Sequence, residues 1–176
     1  MEGGDEYGAK SCLMGNSYGN ILSPHMCFKR VNVLQLGWYP NHCISLNPAQ
    51  DAPWRGNLVG FFDVDNVHDN FSNTFVLVQV SYIYLLQNRK ISFNSDSVGH
   101  GNKVNVDREP SLGGKSDLLE GLRTSLRIIT VDVTLYGSVC TLVIDTFERI
   151  FADIIIYELS IHLVDEASSC ATIFPP

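Results

Sequence analysis

The sequence predicts an α+β protein in which a helix-bearing N-terminal piece, residues 1–44, precedes a mainly antiparallel, β-sandwich-like domain over residues 45–176. Three observations predict it. Apolar residues recur at helical spacing after Pro24, β-branched runs with period-two alternation begin near residue 58, and turn-forming clusters separate those runs. The chain has 176 residues, 45% of them hydrophobic and 18% charged, which is enough apolar material for a sizeable core.

Residues 1 to 22 are rich in Gly, Asn and Ser and read as irregular turns. Ser23 then caps a helix whose first position suits Pro24, with Cys27, Phe28, Val31 and Leu34 along one face and Gly37 as its left-handed stop. Trp38 and Tyr39 are expected to fold back onto that helix. Three prolines with several Asn and Asp residues make 40–57 a connector.

Strands are expected at Leu58 to Phe62, at Phe75 to Tyr84 as one alternating run, and at Lys103 to Val106. Leu126 to Leu135 and Cys140 to Phe147 flank Tyr136-Gly137-Ser138, a hairpin turn. In the last strand Tyr157, Leu159, Ile161 and Leu163 point one way while Glu158, Ser160 and His162 point the other. Residues 111 to 120 are ambiguous, because Gly113-Gly114 breaks the pattern and Asp117-Leu118-Leu119 suits either the start of a helical turn or a crossing to the next strand.

Charge narrows the function classes. Twelve Lys and Arg against nineteen Asp and Glu give a net charge of −7, and no run of basic residues forms a stripe. Nucleic acid is therefore not an expected partner, since phosphate binding needs clustered cations. No apolar stretch reaches the ~20 residues of a membrane span. The N-terminal residues Met1 to Glu6 are acidic and show neither a basic nor an apolar signal region, so no signal peptide is visible in this chain.

The five cysteines (Cys12, Cys27, Cys43, Cys140, Cys170) contain no Cys-x-x-Cys pair, which argues against a zinc ribbon or a thioredoxin-type motif. Three of them lie among Asn, Gly and Pro in the first 43 residues. That setting resembles the stapled loops of secreted proteins, although buried free thiols remain the alternative. The sequon Asn70-Phe71-Ser72 is compatible with secretion.

Sites fare worse. His25, His42, His68, His100 and His162 stand far apart with no i, i+4 pair, so a zinc site built from them is not expected. The run Asp63 to Asp69 superficially resembles a calcium loop, but His68 stands at the glycine position and Thr74 where a bidentate Glu belongs, so a turn is expected. No nucleophile elbow, dinucleotide fingerprint or phosphate loop is present. Asp5-Glu6 and Asp165-Glu166 read as solvated charge.

The stretch Tyr7-Gly8-Ala9-Lys10-Ser11-Cys12-Leu13-Met14-Gly15-Asn16, followed by Met26-Cys27-Phe28 and Gln35-Leu36-Gly37-Trp38-Tyr39, resembles the gametolysin family of metzincin zinc peptidases. Looser likenesses follow at Tyr84 through Asn88-Arg89, Phe93-Asn94-Ser95, Leu142-Val143-Ile144, Glu148-Arg149, Leu159-Ser160-Ile161 and Ser168-Ser169-Cys170. The resemblance implies that Met14 is the Met-turn methionine, an apolar floor beneath zinc, and that Pro24 to Leu36 is the closing helix of a catalytic domain.

The family's His-Glu-x-x-His-x-x-Gly-x-x-His motif, which supplies the zinc ligands and the general base, is not in this chain. Ala9 stands where the family tends to have Asp, and Thr146 where a Cys would precede Glu, which leaves Cys140 as the substitute partner for Cys170 if the strands bring them together. The resemblance thus implies the C-terminal part of an extracellular zinc metalloendopeptidase acting on matrix or cell-wall proteins. Zinc belongs to the complete family enzyme and is not expected to bind this chain alone. No catalytic or metal-ligating residue is assigned here. The competing reading is a non-catalytic binding or structural module derived from that family.

Overall fold

The computed structural model describes residues 36–67, 71–89, 91, 101–109, 117–135 and 138–164. Met14, the expected helix from Pro24, and four of the histidine and cysteine positions in the N-terminal third and C-terminal tail (Cys12, His25, Cys27, Cys170) lie outside the described residues. So do His68, His100, Asn70 and the turn residues Tyr136 and Gly137.

Ten strands form two five-stranded sheets. Sheet A contains β1 (Cys43–Leu46), β4 (Leu77–Val80), β5 (Ile83–Asn88), β6 (Lys103–Arg108) and β7 (Asp117–Leu122) in the order β1-β4-β5-β6-β7. Sheet B contains β2 (Trp54–Val59), β3 (Thr74–Phe75), β8 (Ile128–Leu135), β9 (Ser138–Phe151) and β10 (Ile154–Val164) in the order β3-β2-β10-β9-β8. Pairing is antiparallel throughout except for β1 with β4 and β2 with β3, which are parallel. Two short helices, α1 (Pro48–Asp51) and α2 (Val64–Val67), and a 3-10 turn at Pro40–His42 complete the described fold.

One face of each sheet builds the main core. Val78, Val80, Ile83, Leu85, Val104 and Val106 of sheet A meet Val131, Val133, Leu142, Ile144, Tyr157, Leu159 and Ile161 of sheet B. Alternation dictates this, because β-strand side chains point to opposite faces at successive residues. The expected inward set on β10 is observed: Tyr157, Leu159 and Ile161 are buried, and Leu163 packs against the cluster. A second cluster joins Val59 and Ile156 of sheet B, Leu77, Tyr84 and Leu86 of sheet A, and Val64 and Val67 of α2.

Several expectations need correction. The connector expected over 40–57 holds the 3-10 turn, β1, α1 and most of β2. Its strands are short, and its Pro and Asn residues occupy the breaks between them: Asn47 accepts the Ala49 amide at 3.1 Å and so caps α1, whose first position is Pro48. The expected strand Leu58 to Phe62 runs earlier, ending at Val59.

The single run Phe75 to Tyr84 is broken twice. Val76 marks the crossing from β3 in one sheet to β4 in the other, and Ser81 (φ 56°) with Tyr82 makes a two-residue hairpin closed by the Val80–Ile83 pair. Residues 117–122 are a strand rather than a helical turn. Tyr39 stacks on Phe61 at 5.2 Å and so packs onto the β-unit. Gly37 is left-handed, φ 66°, while the helix it was expected to stop lies outside the described residues. Cys43 and Ile44 already pair with Leu77 and Val78, so sheet A includes the last two residues of the expected N-terminal piece.

Candidate functional site

Each candidate from the sequence has a place or lies beyond the described residues. His42 sits before β1, its Nδ1 3.4 Å from the Thr74 carbonyl, while His162 lies on the outward face of β10 opposite Val143. His42 belongs to the 3-10 turn and His162 to β10. Among the described residues no group of three or more His, Cys, Asp or Glu side chains is placed to hold a metal.

The described part of the Asp63 run, residues 63–67, is a turn end followed by the short helix α2. Asp63 is buried whereas Asp65, in α2, is exposed. Asp63 instead pairs with Arg89, Oδ2 to Nε at 3.3 Å, and both Nη groups of Arg89 donate to the Asp153 carbonyl at 3.3 Å. One guanidinium thus ties the loop after β2, the end of β5 and the β9–β10 turn. Gly60 makes room for it: a Cβ there would stand 2.6 Å from the Arg89 Cγ. Burial pushes the Asp63 carboxyl above the usual range, and Arg89 only partly reverses it. The sequence signal for this clamp was slight, an Arg just past a strand and an Asp in a turn.

A second polar knot closes the end of the main core. Tyr157 is fully buried, and its hydroxyl lies 2.9 Å from the Asn102 carbonyl and 3.0 Å from Glu148 Oε2. The Thr124 hydroxyl donates to the same carboxylate oxygen at 2.7 Å. Burial, then the Glu148 charge and hydrogen bond, push the Tyr157 phenol far above its ordinary value, so it stays neutral. Tyr157 and Glu148 are direct partners across β10 and β9, while Asn102 precedes β6. The knot therefore joins the two sheets.

Outward residues of sheet B form an open surface. Phe147, Glu158 and Asn57 make one row, and Ile128, Asp145, Ser160 and Arg55 the next. Arg127 lies over the Phe147 ring at 5.1 Å, and Arg149 pairs with Glu158 at 2.8 Å. Ile128, Val139 and Phe147 are well exposed on this face, whereas Ile150, 71% exposed near the β9–β10 turn, pairs with Ile155 on the opposite face. These groups suit contact with another molecule and contain no nucleophile joined to a base.

Sheet A carries a different row on the face turned away from the main core: Ser45, Gln79, Tyr84 and Asp107 are successive cross-strand partners. Ser45 donates to Gln79 Oε1 at 3.0 Å, and Gln79 Nε2 donates to the Tyr84 hydroxyl at 3.2 Å. Asn105 shares that face of β6 with Asp107, Glu109 follows the end of the strand, and all three are buried.

Cysteine chemistry divides. Cys140, buried in the main core, is disulfide-bonded to a partner outside the described residues. Cys43 is a free thiol, with its sulfur 3.6 Å from the Trp38 carbonyl; burial raises its pKa and keeps it unreactive. Comparison of the chain with family models, with curated proteins and with solved structures gave no match.

Proposed function

We propose that the chain is the C-terminal part of a gametolysin-like zinc metalloendopeptidase of the extracellular space, with the β-sandwich as its non-catalytic module. The observation that carries this reading is the run Tyr7 to Asn16 with Met14, joined at suitable spacing to Met26-Cys27-Phe28 and Gln35 to Tyr39. Two structural features support it. A β-rich unit follows that segment, and Cys140 forms a disulfide, a bond that persists in oxidising compartments.

Zinc does not fit the described residues, because His42 and His162 stand in separate parts of the fold and no third ligand joins them. The metal would be held by the family's histidine motif, which is not in this sequence. On this reading the chain needs that motif to activate water, and the described residues group no three ligands to replace it. The expected behaviour of the chain alone is no chelator-sensitive hydrolysis of matrix or cell-wall protein after incubation with zinc. Hydrolysis abolished by a chelator would overturn the reading of this chain as inactive by itself.

A second reading is favoured by the exposed outward face of sheet B: a non-catalytic module derived from that family that binds a matrix or wall glycoprotein. It predicts saturable binding that falls at least tenfold in the double variant Phe147→Ser, Ile128→Ser. Equal binding by the variant removes this reading.

A further inference from the structure

We propose that the buried polar face of β6 is a calcium site, with Asp107 and Glu109 as its carboxylate ligands beside Tyr84 and Asn105. It goes beyond the peptidase reading and does not depend on it. Alternation along β6 puts Asn105 and Asp107 on one face, and the register sets Tyr84 directly opposite Asp107. Glu109 follows the strand, its amide donating to the Tyr82 carbonyl at 2.9 Å.

Burial is what makes the arrangement unusual. Asn105 is 0% exposed, Asp107 2% and Glu109 3%. Both carboxylate oxygens of Glu109 and both side-chain polar atoms of Asn105 are buried without a hydrogen-bond partner. A carboxylate removed from water without hydrogen bonds or a counter-charge costs several kcal/mol. Glu109 and Asn105 therefore bring buried, unpartnered acceptor oxygens to the face that also carries Asp107.

The donor set selects the ligand. Two carboxylates, an amide oxygen and a phenol are hard oxygen donors, without the imidazole or thiolate that favours zinc. Calcium accepts irregular sets of oxygens and completes its shell with water or carbonyls, whereas magnesium demands near-ideal octahedral geometry. With only two charged ligands the affinity belongs with extracellular modules, at a Kd of roughly 0.1 to 1 mM.

The test uses the full chain stripped with a chelator, titrated with calcium by calorimetry and with terbium by luminescence excited through tyrosine. One saturable site per chain is expected, with calcium raising the melting temperature where equal magnesium does not. Glu109→Gln should weaken binding at least tenfold, while in chelator it melts no lower than wild type because an unpaired buried charge is gone. Tyr84→Phe, which removes the phenol donor, should weaken calcium binding and dim the terbium signal. No saturable site in the wild-type chain, or unchanged binding in Glu109→Gln, overturns the proposal. Should Glu109→Gln fail to fold, the absence of a calcium-specific thermal shift in the wild-type chain overturns it equally.

Discussion

Arg89 shows how much a single side chain can hold. Its guanidinium reaches Asp63 and the Asp153 carbonyl while only 11% of the side chain is exposed. Removing one partner of a buried pair leaves the other uncompensated, so Arg89→Met should cost about 3 to 5 kcal/mol in urea unfolding. Adding Asp63→Asn should return part of that loss, because the stranded charge goes with it. The same pair sets a pH dependence. The folded-state pKa of Asp63 is raised, so the protonated form favours the fold. Its contribution is full below the ordinary aspartate range and is lost as pH rises through the elevated value. Asp63→Asn should abolish this component of the stability–pH curve between those limits. Tyr157 makes a comparable point with neutral groups. Tyr157→Phe keeps the packing but leaves the Asn102 carbonyl without this donor, at a cost of about 1 to 2 kcal/mol.

Edges and turns decide matters among the elements. β8 is the edge of sheet B, an eight-residue run rich in β-branched side chains and without proline. Such an edge invites pairing with another chain. Two features blunt it: Asp132 points outward, and the Tyr82 hydroxyl donates to the Asp132 carbonyl at 3.0 Å. Asp132→Val should leave the melting temperature nearly unchanged and raise light scattering at high concentration; no rise would show that the edge is protected by other means. At the β9–β10 turn, Ala152 (φ 45°) and Asp153 (φ 68°) both hold left-handed backbone. Ala152→Gly should stabilise the hairpin by about 0.5 to 1 kcal/mol, since glycine occupies that region without steric cost.

These elements also mark what could be read in the sequence. β8, β9 and β10 were legible because one face of each meets a core and the other meets solvent, which writes period two into the chain. β1 and β2 were not, being short strands set among prolines. The break at Ser81-Tyr82 escaped because Ser-Tyr is not a turn dipeptide and both faces of β5 are buried, which erases alternation. For β6, Asn105 and Asp107 alternate with Val104 and Val106 like a half-solvated strand, yet the polar face is buried as well. Sequence pattern reports polarity, and only the fold reports burial.

At the scale of the whole molecule, two five-stranded sheets enclose one main core, and the sheets are joined by the Tyr157 knot and the Val76 crossing. Chemistry is divided between them: sheet A hides a carboxylate face, and sheet B presents an open mixed one. Neither carries a water-activating centre among the described residues. That division fits our proposal of a non-catalytic module standing after a zinc peptidase domain, in which Met14 and the segment to Tyr39 close the catalytic part. The proposal stands or falls on what precedes Met14 in the gene product. The most direct measurement is long-read sequencing of full-length transcripts across the region coding for Met1. The account predicts a continuous frame that encodes His-Glu-x-x-His-x-x-Gly-x-x-His shortly before Tyr7. Transcripts whose upstream frame is closed, or open but without that motif, would contradict it.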